Sequence, residues 1–268
     1  MSTVEIFSIG DELLRGVVQD SNSFWMAKRI AARGASLGRV TVMPDDPETV
    51  GDELRLAIER GPTLILTQGG LGPTDDDNTR EAIAIGSRHS LEPNADAEEI
   101  VRSRYAELAA AGRVATPELT EPRRRMSRLP RGARPLDNQI GAAPAFVLEL
   151  ERTTVVALPG VPPELQWIWD HTLAPELDRI LGPGGFAEIT VTLDLRDESA
   201  IADLLRDLQG RHPDVYVKSR AKGFDAGEDI RVTLTAAGRS DDYAQRLVET
   251  ALAELGNQLE RMGISIVR

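Results

Sequence analysis

The stretch from Thr67 to Thr79, Thr-Gln-Gly-Gly-Leu-Gly-Pro-Thr-Asp-Asp-Asp-Asn-Thr, holds the densest chemistry of the chain. An apolar run precedes it and a helical pattern, Arg80-Glu-Ala-Ile-Ala-Ile, follows it. A strand is therefore expected to end in a glycine-rich turn, with a helix starting just after three adjacent carboxylates. Gly69, Gly70 and Gly72 let a ligand approach the backbone, because no Cβ stands in the way. Amide groups at the helix start would attract an anion. Asp75, Asp76 and Asp77 would repel a bare phosphate, so a hard cation between protein and phosphate is expected. A tight turn followed by aspartate caps remains an alternative for the same residues.

A second acidic segment, Gly10-Asp-Glu-Leu-Leu-Arg-Gly-Val-Val-Gln-Asp-Ser-Asn22, follows the first apolar run. Loops at the carboxyl ends of parallel strands form the ligand crevice of α/β sheets. If strands one and three are neighbours, Asp11, Glu12 and Asp20 meet Asp75, Asp76 and Asp77 over one cavity. Asp20 and Asp77 are equally well placed to cap helices. Leu158-Pro-Gly-Val-Pro-Pro-Glu164 offers a second phosphate cradle at Gly160, or a plain strand-to-helix turn. The basic run Arg123-Arg124-Arg125 reads either as a solvated helix face or as a clamp for a substrate phosphate.

These residues need a frame. Residues 4–9, 37–43 and 64–66 read as buried strands, and residues 21–33, 47–60 and 95–111 as helices, with a further helix after Asn78. The alternation implies a mostly parallel sheet covered on both faces. Residues 146–150 and 153–158 read as an antiparallel hairpin, followed by a helix from the 158–164 turn to about residue 180. Gly182-Pro-Gly-Gly185 reads as a linker. Beyond it the pattern becomes strand 187–195, helix 198–208, strands 214–219 and 229–236, helix 241–255 and strand 264–267. That β-α-β-β-α-β order is that of a ferredoxin-like sandwich, with residues 220–228 as a hairpin loop. The expected domains are 1–181 and 186–268. Trp167 and Trp169, two apart on a helix, are expected to straddle a packed edge.

Composition narrows the class. Net charge is −12 over 268 residues, which argues against broad binding to nucleic acid or an anionic membrane. No cysteine is present, so thiolate chemistry and disulfides are excluded. No apolar run is long enough for a transmembrane helix, and the N-terminus reads as a strand, not a signal peptide. A cytoplasmic protein is expected. The three histidines show no metal-ligand spacing, and no serine-hydrolase elbow, Walker A or zincin motif occurs.

Taken together, the segments 10–22, 69–79 and 158–164 resemble the N-terminal region of the competence/damage-inducible protein CinA family. The resemblance spans essentially the whole chain. It implies a three-layer α/β domain of the molybdopterin-binding, MogA/MoaB-like type, followed by a small α+β domain often called KH-like. It also implies a divalent-metal-dependent ADP-ribose pyrophosphatase, with Mg, Mn or Co as the metal and a nucleotide-sugar or pterin-type phosphorylated molecule as the ligand. A non-catalytic molybdopterin- or nucleotide-binding protein is the alternative. Asp20 and Asp77 are the expected catalytic residues. Asp11, Asp76 and Asp77 are the expected metal ligands. Gly10, Glu12, Asn22, Gly69, Gly70, Gly72, Thr74, Arg124, Pro159 and Gly160 are expected to bind substrate. A homodimer is expected by the same resemblance. Full-length CinA proteins add a nicotinamide-nucleotide deamidase domain, an activity not expected of these 268 residues. The chain departs from the family pattern at Gln68, Met126, Ala142 and Ala145, where the usual hydroxyl, amide or glycine is replaced.

Overall fold

The structure, a computed structural model, describes residues 2–182, 184–220 and 230–267. By internal packing the chain divides into two units, one of residues 1–30 with 36–181, the other of residues 31–35 with 182–268.

The first unit runs β1 (Thr3–Ile9), α1 (Asp11–Leu14), α2 (Ser21–Ala32), β2 (Ser36–Met43), α3 (Pro47–Arg60), β3 (Leu64–Gln68) and α4 (Thr79–Ser87). It continues with β4 (Leu91–Pro93), α5 (Ala95–Ala110), α6 (Glu121–Arg125), β5 (Arg128–Pro130) and β6 (Arg134–Leu136). It closes with β7 (Ala145–Glu149), β8 (Thr154–Leu158), α7 (Pro162–His171) and α8 (Ala174–Leu181). The main sheet has the order β2-β1-β3-β8-β7-β6. The pairs β1–β2, β1–β3 and β3–β8 are parallel, and β7 returns antiparallel to β8. The chain crosses from β1 outward to β2 and then back to β3 on the other side. Loops after β1 and β3 therefore diverge, leaving a crevice at their carboxyl ends.

Residues of β1 from Val4 onward are all buried, as a strand covered on both faces requires. Period-two alternation divides them. Phe7 and Ile9 join Ile65, Val155 and Phe146 in a core shared with Val50 and Leu54 of α3 and Ile83 of α4. Ser8 and Gln68 point to the opposite face and are cross-strand neighbours. On that side α2 and α7 meet through Trp25 and Trp169, edge to face at 5.5 Å. Trp167 instead stacks on His171, so the two tryptophans do divide between core and surface. Glu5 is the one carboxylate inside β1. Arg60 donates to both of its oxygens, at 3.0 and 2.6 Å, which compensates its desolvation.

Two expectations need correction. The helix foreseen from the 158–164 turn to about residue 180 is broken into α7 and α8 around Thr172 and Leu173. Pro175 has no N–H to continue the ladder and sits in the first turn of α8, where none is needed. The short strands β4, β5 and β6 were not foreseen.

The second unit runs β9 (Gly185–Leu193), α9 (Ala202–Arg211), β10 (Val215–Arg220), β11 (Ile230–Gly238), α10 (Asp241–Arg261) and β12 (Ile266–Val267). Its antiparallel sheet has the order β10-β11-β9-β12, the strand order of a ferredoxin-like sandwich. Val248, Ala251 and Leu255 of α10 pack with Leu193, Val232 and Leu234 of the sheet. The expected hairpin loop at 220–228 lies, beyond Arg220, outside the described residues.

Candidate functional site

A cavity of about 590 Å³ opens at the carboxyl ends of β1, β3 and β8, and is also lined by Asp45 beyond β2 and by Ala142 and Ala143 before β7. That volume suits a nucleotide-sized ligand. The strand order makes it elongated, since four inter-strand spacings of about 4.8 Å separate β2 from β7, roughly 19 Å.

The glycine-rich loop forms one wall. Gly69 has φ 100°, in the left-handed region, and a Cβ there would collide with Ile9 O. The loop is held from inside by Asp77. Its Oδ1 accepts from Gly72 N at 2.7 Å and its Oδ2 from Thr74 N at 2.8 Å and Thr74 Oγ1 at 2.5 Å. Below the loop lies Arg80, 1% exposed. It donates to Leu71 O at 2.6 Å, Gly72 O at 3.0 Å and Asp77 O at 3.2 Å. Burial lowers its proton affinity, while Glu81 and Asp77 act in the other direction. An arginine stays charged under such conditions, so a buried cation braces the loop by its carbonyls.

The wall after β1 is built from β-sheet parity. Ser8 and Gln68 face α2, and Asp20 sits above them. Asp20 Oδ1 accepts from Ser23 N at 2.9 Å, a helix N-cap, and from Gln68 Nε2 at 3.2 Å. Its Oδ2 accepts from Ser8 Oγ at 2.7 Å. Asn22 Nδ2 donates to Gln68 Oε1 and to Gly160 O, both at 2.8 Å. One amide thus joins the ends of β3 and β8 to the start of α2. Gln68 is the centre of this network.

Electrostatics set the chemistry. Six carboxylates line the cavity, Glu12, Asp20, Asp45, Asp76, Asp77 and Glu164, and no Lys, Arg or His does so among the described residues. Burial pushes the Asp45 carboxyl up, and repulsion from Glu12, Asp11 and Asp76 adds to it, against a stabilising Asp11 N–H bond. Loops from β1, β2 and β3 therefore do bring acidic groups within mutual reach. Asp76 goes the other way, held down by the Thr74 hydroxyl. Burial also raises Glu164, opposed by an Asn138 hydrogen bond and the Arg104 charge.

Among the described residues no group of three or more acidic or imidazole side chains is arranged to hold a metal ion. The donor set is nonetheless all oxygen, which suits a hard cation that keeps waters and shares ligand phosphates instead of filling a protein cage.

Most expected site residues line this cavity: Gly10, Glu12, Asp20, Asn22, Gly69, Gly70, Gly72, Asp76, Asp77, Pro159 and Gly160. Three do not. Asp11 pairs with Arg15 at 2.7 Å on the exposed side of α1, and its backbone N–H donates to Asp45. Thr74 turns its hydroxyl onto Asp76 and Asp77. Arg124 pairs with Glu98 at 3.2 Å, away from the cavity. The basic run is no phosphate clamp in this arrangement. Arg123 lies over the Tyr105 ring at 3.8 Å, and Arg125 pairs with Asp75 at 2.6 Å. The expected amide cradle is partly spent as well, since Gly69 N donates to Leu158 O and Gly72 N to Asp77. Asp45, Glu164 and Arg80 were missed. Glu164 stands at the end of a quoted motif, so its signal was present in the sequence.

Comparison with known proteins places this geometry. Residues 5–179 match the family model described as "Probable molybdopterin binding domain". A protein of Aeropyrum pernix is 34% identical over 262 residues, 97% of this chain and 95% of the relative. Protein PH0439 of Pyrococcus horikoshii is 36% identical over 220 residues, 82% of this chain and 84% of its own length. The crystal structure of the protein CinA, of unknown function, from Thermoplasma acidophilum matches with a TM-score of 0.58 and 27% identity, over 67% of this chain and 99% of that one. With the glycine-rich loop, the acidic β1 loop and the Pro159–Glu164 turn assembled on a shared sheet, the chain belongs to the molybdopterin-binding-domain family as a CinA-like member.

Proposed function

We propose that the cavity binds a phosphorylated heterocycle of the pterin or nucleotide type together with a divalent cation. We further propose that the chain hydrolyses a nucleotide-sugar pyrophosphate, with ADP-ribose giving AMP and ribose 5-phosphate. Family membership supports the pterin-type ligand. The observation that carries the cation is the wall of six carboxylates with no basic side chain among the described residues. A bare pyrophosphate would meet only like charge there, and like charges in a partly desolvated site cost several kcal/mol at close range, by the order of magnitude of Coulomb's law. A cation held by one or two of the carboxylates of Glu12, Asp45 and Asp76, with water and the pyrophosphate as its other partners, would reverse that sign. Such an ion, Mg, Mn or Co, would polarise a phosphoryl oxygen and lower the pKa of an attacking water.

The chain's own residues then orient and hold. Gly70 and Gly160 let the loops pack on Thr79 and on Gly69, where a Cβ would crowd the neighbour. Arg80 keeps the glycine-rich loop in place, and the Asp20–Gln68–Asn22 network fixes the three loops relative to one another. Incubation of the full chain with ADP-ribose and Mg²⁺, Mn²⁺ or Co²⁺ should release AMP, and chelator should abolish it. Absence of AMP with all three ions would remove the hydrolytic reading.

A second reading, binding without turnover, has its own support. The carboxylates of Asp20 and Asp77, expected to be catalytic, are both spent on hydrogen bonds inside the protein. Thermal stabilisation by ligand with no product formed would favour it.

A further inference from the structure

The far end of the cavity differs from the acidic loops of β1, β2 and β3. There Glu164, on the first turn of α7, shares the lining with Tyr105, Met126, Ala142 and Ala143. Glu164 is held, but not by a cation. Asn138, fully buried, donates from Nδ2 to Glu164 Oε2 at 2.7 Å and to Ala143 O at 2.9 Å. Its Oδ1 accepts from Ile140 N at 3.2 Å and Gly141 N at 3.0 Å. These four bonds fix which way the Asn138 amide faces. Arg104, the nearby cation, is committed to Gly141 O at 3.0 Å and Gln139 O at 2.7 Å. Gly141 lies directly against the Glu164 carboxylate, and any Cβ at that position would displace it. The loop is thus shaped around this side chain. Glu164 Oε1 has no hydrogen bond among the described residues and is not sealed from solvent. An oriented carboxylate oxygen in a mostly apolar setting is an acceptor waiting for an N–H donor.

We propose that Glu164 is the specificity-determining residue of the cavity, its Oε1 accepting a hydrogen bond from an exocyclic amino group on the ligand's heterocycle. This rests on the reading above, in which the phosphate end lies by the acidic loops. The ring then lies beside Tyr105, whose ring carries Arg123 at 3.8 Å. The fixed Asn138 amide makes the proposal sharp. In Glu164→Gln the side-chain oxygen must face Asn138 Nδ2, so the new NH₂ takes the place of Oε1. An acceptor becomes a donor in the same position.

The test is equilibrium binding to the full chain with Mn²⁺ present. One pair of probes is ADP and purine riboside 5′-diphosphate, which lacks the 6-amino group. The other is pterin and 4-hydroxypteridine, which lacks the 2-amino group. In at least one pair, loss of the amino group should weaken the wild-type chain about tenfold or more, as for a hydrogen bond to a charged acceptor. In Glu164→Gln the same loss should have no effect or should strengthen binding. Glu164→Met, which has no acceptor, should show no preference, and it decides the matter if the Gln variant folds poorly. Equal amino-group effects in wild type and variants would overturn the role of Glu164 alone. Failure of the wild type to bind any of the four probes would overturn the ligand reading and this proposal with it.

Discussion

Asn22 Nδ2 lies 2.8 Å from Gln68 Oε1 and 2.8 Å from Gly160 O, so one side chain from α2 closes the gap between the ends of β3 and β8. Its own Oδ1 is buried without a partner among the described residues. The position tolerates an amide donor and nothing anionic. Asn22→Asp would set a carboxylate against a carbonyl that cannot turn away. The variant should lose about 2 kcal/mol of stability at neutral pH, as for an unsatisfied and repelled buried polar group. The new carboxyl would have a folded pKa above its unfolded one. The sign follows: the deficit is smallest below the unfolded pKa and grows as pH rises through the folded pKa. Urea denaturation at pH 4 and pH 7 measures both.

Arg80 supports a different prediction. Its guanidinium holds three carbonyls of the glycine-rich loop from beneath. Arg80→Met leaves those oxygens unpaired and should cost about 3 kcal/mol. Arg80→Lys keeps the charge without the planar fork and should recover part of that loss. Denaturant midpoints give the stabilities. Equal midpoints for wild type and Arg80→Met would show that the loop needs no brace.

Asp45 is where like charges crowd. Burial and the neighbours Glu12, Asp11 and Asp76 raise its pKa, so ionised Asp45 opposes folding in the absence of a cation. Asp45→Asn retains an acceptor for Asp11 N and should raise the melting temperature at pH 7 without divalent metal. The gain should vanish as pH falls below the ordinary aspartate value of about 3.9, where the wild type is protonated in both states. With Mn²⁺ the order should reverse, because the variant loses a cation partner. Thermal melts with Mn²⁺ and with chelator at both pH values read this out.

The parts of the fold carried by long periodic runs were legible in the sequence. The buried residues of β1, the amphipathic α3 and the β7–β8 hairpin all announce themselves by spacing. Three-residue strands such as Leu91–Pro93 have no period to detect, and their pairing with Arg128–Pro130 is decided by packing across distant sequence. Most of the glycine and acidic residues of the cavity were legible because strand ends fix where loops go. The basic run misled, since arginines in a short helix look alike until their partners are known. Arg80 was hidden for the opposite reason: an arginine in a helical pattern reads as surface, and burial of one beneath a loop depends on carbonyls that only the fold brings together.

The most direct test of the central claim is the affinity of the full chain for a non-hydrolysable ADP-ribose analogue, with a methylene group in place of the oxygen that bridges the two phosphorus atoms, titrated calorimetrically with Mn²⁺ and again with chelator. A cavity whose wall is carboxylate without a basic side chain should bind at least about tenfold more tightly when the ion is present, a difference of about 1.4 kcal/mol. Equal affinity with and without the ion would contradict a cation-bridged pyrophosphate and, with it, the reading of this site.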